Sequence, residues 1–150
     1  MKTGLNIVGT LILEAKRKDG SSNSIKVKNL ITSWGLNSLA GVIAGNAFPG
    51  TLEYIAMGNS NTAPALGNTT LGNELRRDLV TVTQLPTPEE NKVQFQKEFV
   101  EGAVIGTFKE AGIFNAATLG NMFNRIVFSD FVVGSADTLT LTWIIEIRNQ

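Results

Sequence analysis

The sequence contains no cysteine and no histidine. The first absence excludes disulfides, thiolate nucleophiles and cysteine metal sites. The second removes the commonest general base and the commonest zinc ligand. Catalysis would fall to carboxylates, lysine, serine and tyrosine alone. Charge is scarce as well: 17% of the 150 residues are Asp, Glu, Lys or Arg, against about 25% in an ordinary soluble domain. Thirteen bases balance thirteen acids, so no global field steers the chain toward nucleic acid or an anionic membrane. A surface this thin in charge points to cover by something else. Composition therefore points away from an enzyme and toward a part that assembles. The length suits one domain able to bury about 70% of its unfolded surface.

Long apolar runs are missing too. Residues 5–13 lean apolar, but Asn6, Gly9 and Thr10 interrupt them and no small-residue cleavage site precedes Glu14, so a signal peptide is not expected. The longest uncharged run, residues 29–52, holds Asn37, Ser38, Asn46, Pro49 and several glycines, which rules out an apolar membrane span. The lack of cysteine fits folding in a cytoplasm.

What is present is period two. Leu139, Leu141, Trp143, Ile145 and Ile147 alternate with Thr138, Thr140, Thr142, Ile144 and Glu146, the pattern of a strand with one buried face. Residues 93–100 alternate likewise, with Val93, Phe95 and Phe99 against Gln94, Gln96 and Glu98. Lys97 falls on the apolar face, which puts that strand near an edge or leaves the face half-buried. Residues 7–16 and 24–33 flank Lys18-Asp19-Gly20-Ser21, a hairpin signal because Gly accepts the positive φ of a tight turn. Further strands are expected at residues 52–57, 79–84, 104–114 and 122–133. Leu36, Leu39, Ala40 and Ile43 recur at helical spacing, with Ser33 as N-cap and Gly45-Asn46 as stop. That helix is expected to turn its apolar stripe inward over one open end of a sandwich. The expected fold is all-β, an antiparallel, jelly-roll-like β-sandwich forming one domain over residues 1–150. Within it lie an N-terminal arm and hairpin (1–33), a short helix (34–45) and the sandwich proper (52–147). No internal repeat or dividing linker is visible.

Residues 58–73 are uncharged, with Ala63, Leu66 and Leu71 punctuating a polar background. A loop of that length is functional or disordered, and it reads either as folded back on its own domain or as packed on a neighbouring subunit. Gly58-Asn59-Ser60 and Gly67-Asn68-Thr69 lack the Gly-Lys-Ser/Thr ending of a phosphate cradle. Glu89 and Glu90, beside Pro86 and Pro88, read as a solvated turn rather than a glycosidase pair. Asp130 and Asp137 lack the further oxygen ligands calcium needs. Glu110 lies in an apolar run, Gly106-Thr107-Phe108-Lys109-Glu110-Ala111-Gly112-Ile113-Phe114. A buried acid there needs a partner, and Arg76, Arg77 and Arg125 are the candidates for a structural ion pair; a subunit contact and a catalytic acid are the other readings. Trp143 reads as core and Trp34 as a plug of the sandwich end. Lys16, Arg17 and Lys18, facing Lys26 and Lys28, form the one basic patch, a solvated hairpin guarding an edge or a dock for an acidic protein surface. Without interleaved aromatics it is not expected to bind nucleic acid.

Five short segments in order resemble small structural proteins of tailed-bacteriophage virions, with the pattern of tail-collar fibre domains. They are Tyr54-Ile55-Ala56-Met57-Gly58-Asn59-Ser60, Thr70-Leu71-Gly72-Asn73-Glu74-Leu75-Arg76-Arg77, Lys109-Glu110-Ala111-Gly112-Ile113-Phe114-Asn115, Asn121-Met122-Phe123-Asn124-Arg125-Ile126-Val127-Phe128 and Asp137-Thr138-Leu139-Thr140-Leu141-Thr142-Trp143. The resemblance covers residues 52–147 and implies a β-rich building block of a virion, with no catalytic residues to carry over. Two departures, the stop at Gln150 where a fibre runs on into a shaft and the added N-terminal hairpin, look more like a capsid decoration (cement) protein.

The expected function is therefore a non-enzymatic virion protein, assembled in the host cytoplasm, that trimerises with itself and docks on the major capsid protein or on tail proteins. A fibre, baseplate or neck adaptor of the tail is the alternative within the virion. A carbohydrate-binding module using Trp34, Tyr54 or loop asparagines, and a carboxylate hydrolase, are the alternatives outside it. No cofactor, metal, nucleic acid or membrane is expected, and no small-molecule ligand. The expected contacts are Asn59, Asn61, Leu66, Asn68 and Leu71 of the loop, and Leu5 and Ile7 of an unpaired arm that could be donated to a neighbour. Lys16, Arg17 and Lys18 form a secondary patch.

Overall fold

The structure is a computed structural model that describes residues 4–150. In chain order come β1 (Leu5–Lys16), β2 (Ser22–Lys28), β3 (Leu30–Ile31), α1 (Ser33–Ile43), β4 (Tyr54–Gly58), β5 (Glu74–Leu79), β6 (Thr81–Gln84), β7 (Lys92–Phe99), β8 (Gly106–Phe114), β9 (Met122–Val133) and β10 (Thr138–Asn149). The strands form two antiparallel five-stranded sheets, in the orders β2-β1-β10-β7-β6 and β3-β9-β8-β4-β5. The chain is all-β, as its period-two patterns required. Two compact units result, one gathering the chain up to Lys28 with Thr81–Thr107 and Phe131–Gln150, the other Asn29–Val80 with Phe108–Asp130.

The first unit is built on β10. It pairs with β1 over twelve residues, from Leu5 opposite Asn149 to Lys16 opposite Thr138, and with β7 on its other side. Because side chains alternate across a strand, Leu11, Leu13 and Ala15 share a face with Trp143, Leu141 and Leu139, and all six are buried. The N-terminal hairpin is thus part of the sheet and not an added arm. Leu5 and Ile7, expected in an unpaired arm, lie opposite Asn149 and Ile147; the apolar alternation of β1 is in phase with that of β10, so pairing within the chain satisfies both. Residues 1–3 of that arm lie outside the described residues. Lys97 also finds its explanation. The short β6 covers β7 only from Val93 to Gln96, so Lys97 lies just past the covered stretch, its ammonium 5.2 Å from the Phe99 ring. At the hairpin tip Gly20 takes φ +88°, and the Asp19 carboxylate accepts from the Ser21 N–H and hydroxyl. Lys18 pairs with Glu101 at 2.9 Å.

Two expected strands turn out to be divided between the sheets. The strand expected over residues 24–33 ends at Lys28, and Leu30 and Ile31 pair with Arg125 and Asn124 in the other sheet. The strand expected over 79–84 breaks at buried Val80, whose N–H donates to the Glu53 carbonyl. β5 was not expected at all, since Glu74-Leu75-Arg76-Arg77-Asp78-Leu79 lacks apolar alternation. In β4 and β8, Tyr54, Ala56 and Gly58 stand opposite Phe114, Gly112 and Glu110. Ala56 and Phe114 pack with Leu71 and Met122, and Tyr54 lies against that cluster. The alternate positions Ile55, Met57, Ala111 and Ile113 are buried as well. Burial on both faces explains why residues 108–114 read as a nearly continuous apolar run.

The helix departs from expectation in two ways. Its N-cap is Thr32, one residue before Ser33: the Thr32 hydroxyl accepts from the Gly35 N–H at 3.1 Å and donates to the Met122 carbonyl at 2.6 Å. The Thr32 N–H donates to the Phe123 carbonyl at 3.0 Å. Those bonds fix the helix start against β9, so closely that a Cβ on Gly35 would stand 2.5 Å from the Phe123 carbonyl oxygen. The cap therefore sets the rotation of the helix. Gly35 and Ser38 face inward, Leu39 is half-buried, and Leu36, Ala40 and Ile43 face solvent. The expected inward stripe points out.

Candidate functional site

The most heavily bonded point of the second unit is Glu110. β8 carries it onto the face shared with Gly58 and Ala56, where it has no exposed surface. Its Oε1 accepts from the N–H of Asn73 at 2.7 Å and of Ser60 at 3.2 Å. Its Oε2 accepts from the N–H of Gly72 at 2.8 Å and from Arg125 Nη2 at 2.9 Å and Nε at 3.1 Å. Burial by itself pushes this carboxyl up. The N–H groups of Asn73 and Gly72, the Arg125 guanidinium and the N–H of Ser60 outweigh it, and hold the group below the ordinary carboxylate value. Two glycines make the approach feasible. A Cβ on Gly58 would stand 2.3 Å from the Asn73 carbonyl oxygen and 2.6 Å from Glu110 Oε1, and one on Gly72 would stand 2.3 Å from Ser60 Oγ.

Arg125 extends this knot outward. Its side chain is 2% exposed, and the Nη1 not used by Glu110 donates to Asn68 Oδ1 at 3.1 Å and to the Ala63 carbonyl at 3.4 Å. Asn68 Oδ1 also accepts from the Ala65 N–H at 2.8 Å. The base of the loop is closed by Asn59 N–H to the Asn73 carbonyl and Asn73 Nδ2 to Asn59 Oδ1, at 3.1 and 2.6 Å. Leu66 supplies a carbonyl to the Ser33 N–H at 2.8 Å, which satisfies one of the free donors at the start of α1. Residues 58–73 thus fold back on their own unit, held by one carboxylate and one guanidinium.

This geometry sorts the expected site residues. Of the three candidate arginines it is Arg125 that neutralises Glu110. Arg76 forks onto Asp78 at 2.6 and 2.8 Å. Arg77 pairs with Glu74 at 2.7 Å, donates to the carbonyls of Ala116 and Leu119, and sits 3.7 Å over the Phe114 ring. β5 is an edge strand; Arg76 pairs along it with Asp78, and Arg77 ties it to the loop after β8. Leu71, expected as a subunit contact, is 6% exposed and belongs to the core cluster, because the knot pulls its neighbour Gly72 inward. Asn68 is half-buried and committed to Arg125, whereas Asn59, Asn61 and Leu66 stay exposed. Lys16 and Lys18 are exposed and Arg17 is half-buried, all at the tip of the hairpin.

The donors on Ser60, Gly72 and Asn73 escaped sequence reasoning because backbone N–H groups carry no residue signature. The only hints were the glycines at 58 and 72 and an acid inside an apolar run. Asn124 was missed too; it is fully buried and its Oδ1 accepts from the Ile113 N–H at 3.0 Å. Trp143 is core, as expected, and Trp34 meets Phe48 edge-on at 5.7 Å. Asp137 accepts from the Gly134 N–H at 2.8 Å and caps a turn. Among the described residues no group of three or more acids could hold a metal ion, and no helix is long and apolar enough to cross a membrane.

With both oxygens saturated and no exposed surface, Glu110 has no free lone pair to offer a substrate. What the arrangement does is order a loop. Comparison with protein-family models, with curated proteins and with solved structures finds no match.

Proposed function

We propose that this chain is a non-enzymatic structural protein of a tailed-bacteriophage virion, a capsid decoration (cement) protein that trimerises, docks on the major capsid protein and stabilises the shell. The observation that supports this reading is a convergence. Ser60 ends the first of the virion-like segments, Gly72 and Asn73 lie in the second, Glu110 in the third and Arg125 in the fourth, and all meet at one carboxylate. Segments that look unrelated in sequence are parts of one brace. Segments whose members brace a loop suit a building block. The braced loop is uncharged and ordered by its own unit, so packing it against another subunit, a second copy included, would not carry the full entropic penalty of ordering a flexible segment. Several such contacts made together on a repeating lattice would bind tightly through avidity.

The copy number of the chain in purified particles, measured against the major shell protein by quantitative mass spectrometry, tests the proposal. Hundreds of copies per particle are expected. A handful in multiples of three or six would move the chain to the tail, as a fibre, baseplate or neck part. Its absence from particles would remove the virion role.

A further inference from the structure

Between Lys28 and Glu74 the chain carries a single charge, Glu53, over 45 residues, while the other 105 residues hold the remaining 25 charges. This neutral stretch includes α1 and the loop 59–73. Leu36 is 43% exposed, Val42 44% and Ile43 83%, because the cap at Thr32 and the close approach at Gly35 turn the small residues inward. Leu66, 52% exposed, joins them, since its carbonyl is bonded to Ser33 in the first turn of the helix. Helix and loop are thus joined at that bond, both expose apolar side chains, and neither carries a charge. In α1 and residues 59–73 all but Gly35, Ser38 and Leu71 keep surface, enough residues to supply one side of a stable interface, roughly 20–30.

The chemistry of this surface selects its occupant. Nucleic acid or an anionic membrane would need cations here, and a charged protein partner would need opposite charge; α1 and the loop have neither. A stacking sugar would need an open aromatic, and Trp34 is half-buried against Phe48. Residues beside a two-fold axis meet their own copies, where a charge would face its like, and an uncharged apolar surface is complementary to itself there. Depletion of charge with apolar enrichment is the composition of interfaces between identical subunits. We infer that the α1–loop face is the surface through which copies of this chain associate, with the Leu36 and Ile43 stripes of neighbouring copies meeting near the axis. The inference builds on the reading of the chain as an assembling part and names the face that reading left open.

The test is analytical ultracentrifugation of the full chain at about 1–100 µM, for the wild type, Leu36→Glu, Ile43→Glu and, as a control, Val100→Glu at a 76% exposed position of the other unit. The wild type and Val100→Glu are expected to sediment as one oligomer, and the two helix variants as monomers with unchanged circular dichroism. Because the chain has no cysteine, Ile43→Cys gives a second readout that leaves the face apolar: mild oxidation should link copies through this position, and Val100→Cys should not. A wild type monomeric across that range would overturn the inference, as would oligomers indifferent to both glutamates or lacking the cross-link at position 43. The copy-number experiment fails or succeeds independently, since association in solution requires no particle.

Discussion

Replacing Glu110 by Gln tests the knot at its centre. Five N–H groups converge on the carboxylate, from Ser60, Gly72, Asn73 and twice from Arg125. An amide keeps only one oxygen. If it takes the place of Oε1, the bonds from Ser60 and Asn73 survive, while an NH2 group faces the Gly72 N–H and the guanidinium, donor against donor. Arg125 then holds a buried charge with its counter-ion gone. Breaking a buried pair in this way is worth about 3–5 kcal/mol. For a domain of this size 1 kcal/mol moves Tm by about 2–4 °C, so the expected fall is roughly 6–20 °C. Urea unfolding should show a lower midpoint with an unchanged m-value, the mark of lost stability rather than an altered denatured state. The double variant with Arg125→Met separates charge from hydrogen bonding. It removes the unpaired cation but leaves the Gly72 N–H unsatisfied, worth about 1–3 kcal/mol, so it should recover only part of the loss. A single variant that loses less than about 1 kcal/mol would refute the reasoning. Full recovery in the double variant would refute the role given to the backbone donors.

The same knot sets a pH dependence. The folded-state value of Glu110 is depressed, so its contribution is complete above the unfolded carboxylate value of about 4.3 and is lost as pH falls through the folded value; melting curves of wild type and Glu110→Gln from pH 7 to pH 2 should converge at the acid end, and parallel curves would count against it. Leu71→Ala should destabilise by about 2–5 kcal/mol as a core truncation, whereas Leu66→Ala should stay within about 0.5 kcal/mol; equal effects would mean that the loop is not anchored as described. Gly35→Ala should lose about 1–3 kcal/mol through overpacking against Phe123, measured by denaturant unfolding. Thr32→Ala should lose about 1 kcal/mol from the missing cap and lower the helical signal, an effect that Ser33→Ala would not share.

The sequence by itself determined the fold class and the strands whose faces differ. β10 alternates Leu139, Leu141 and Trp143 with threonines, and no other backbone period buries the first set while exposing the second. The Asp19-Gly20 turn was legible for the same local reason, since only a few residue types accept its φ. The acid that would need a partner was legible too, because an acid in an apolar run must be neutralised. Which arginine would answer it was not. Arg76, Arg77 and Arg125 are chemically alike, and only the pairing of β8 with its neighbours brings position 125 to Glu110 while turning the other two to Asp78 and Glu74. The transfers of the chain between sheets at Asn29 and Val80 were hidden as well, because one extended run has the same local pattern whether it pairs in one sheet or two. The orientation of α1 was decided by tertiary structure against its own periodicity. An apolar stripe states which residues share a face, but the hydrogen bonds at Thr32 and the missing Cβ of Gly35 decide which face can approach β9, and contact distances of that kind have no counterpart in the sequence.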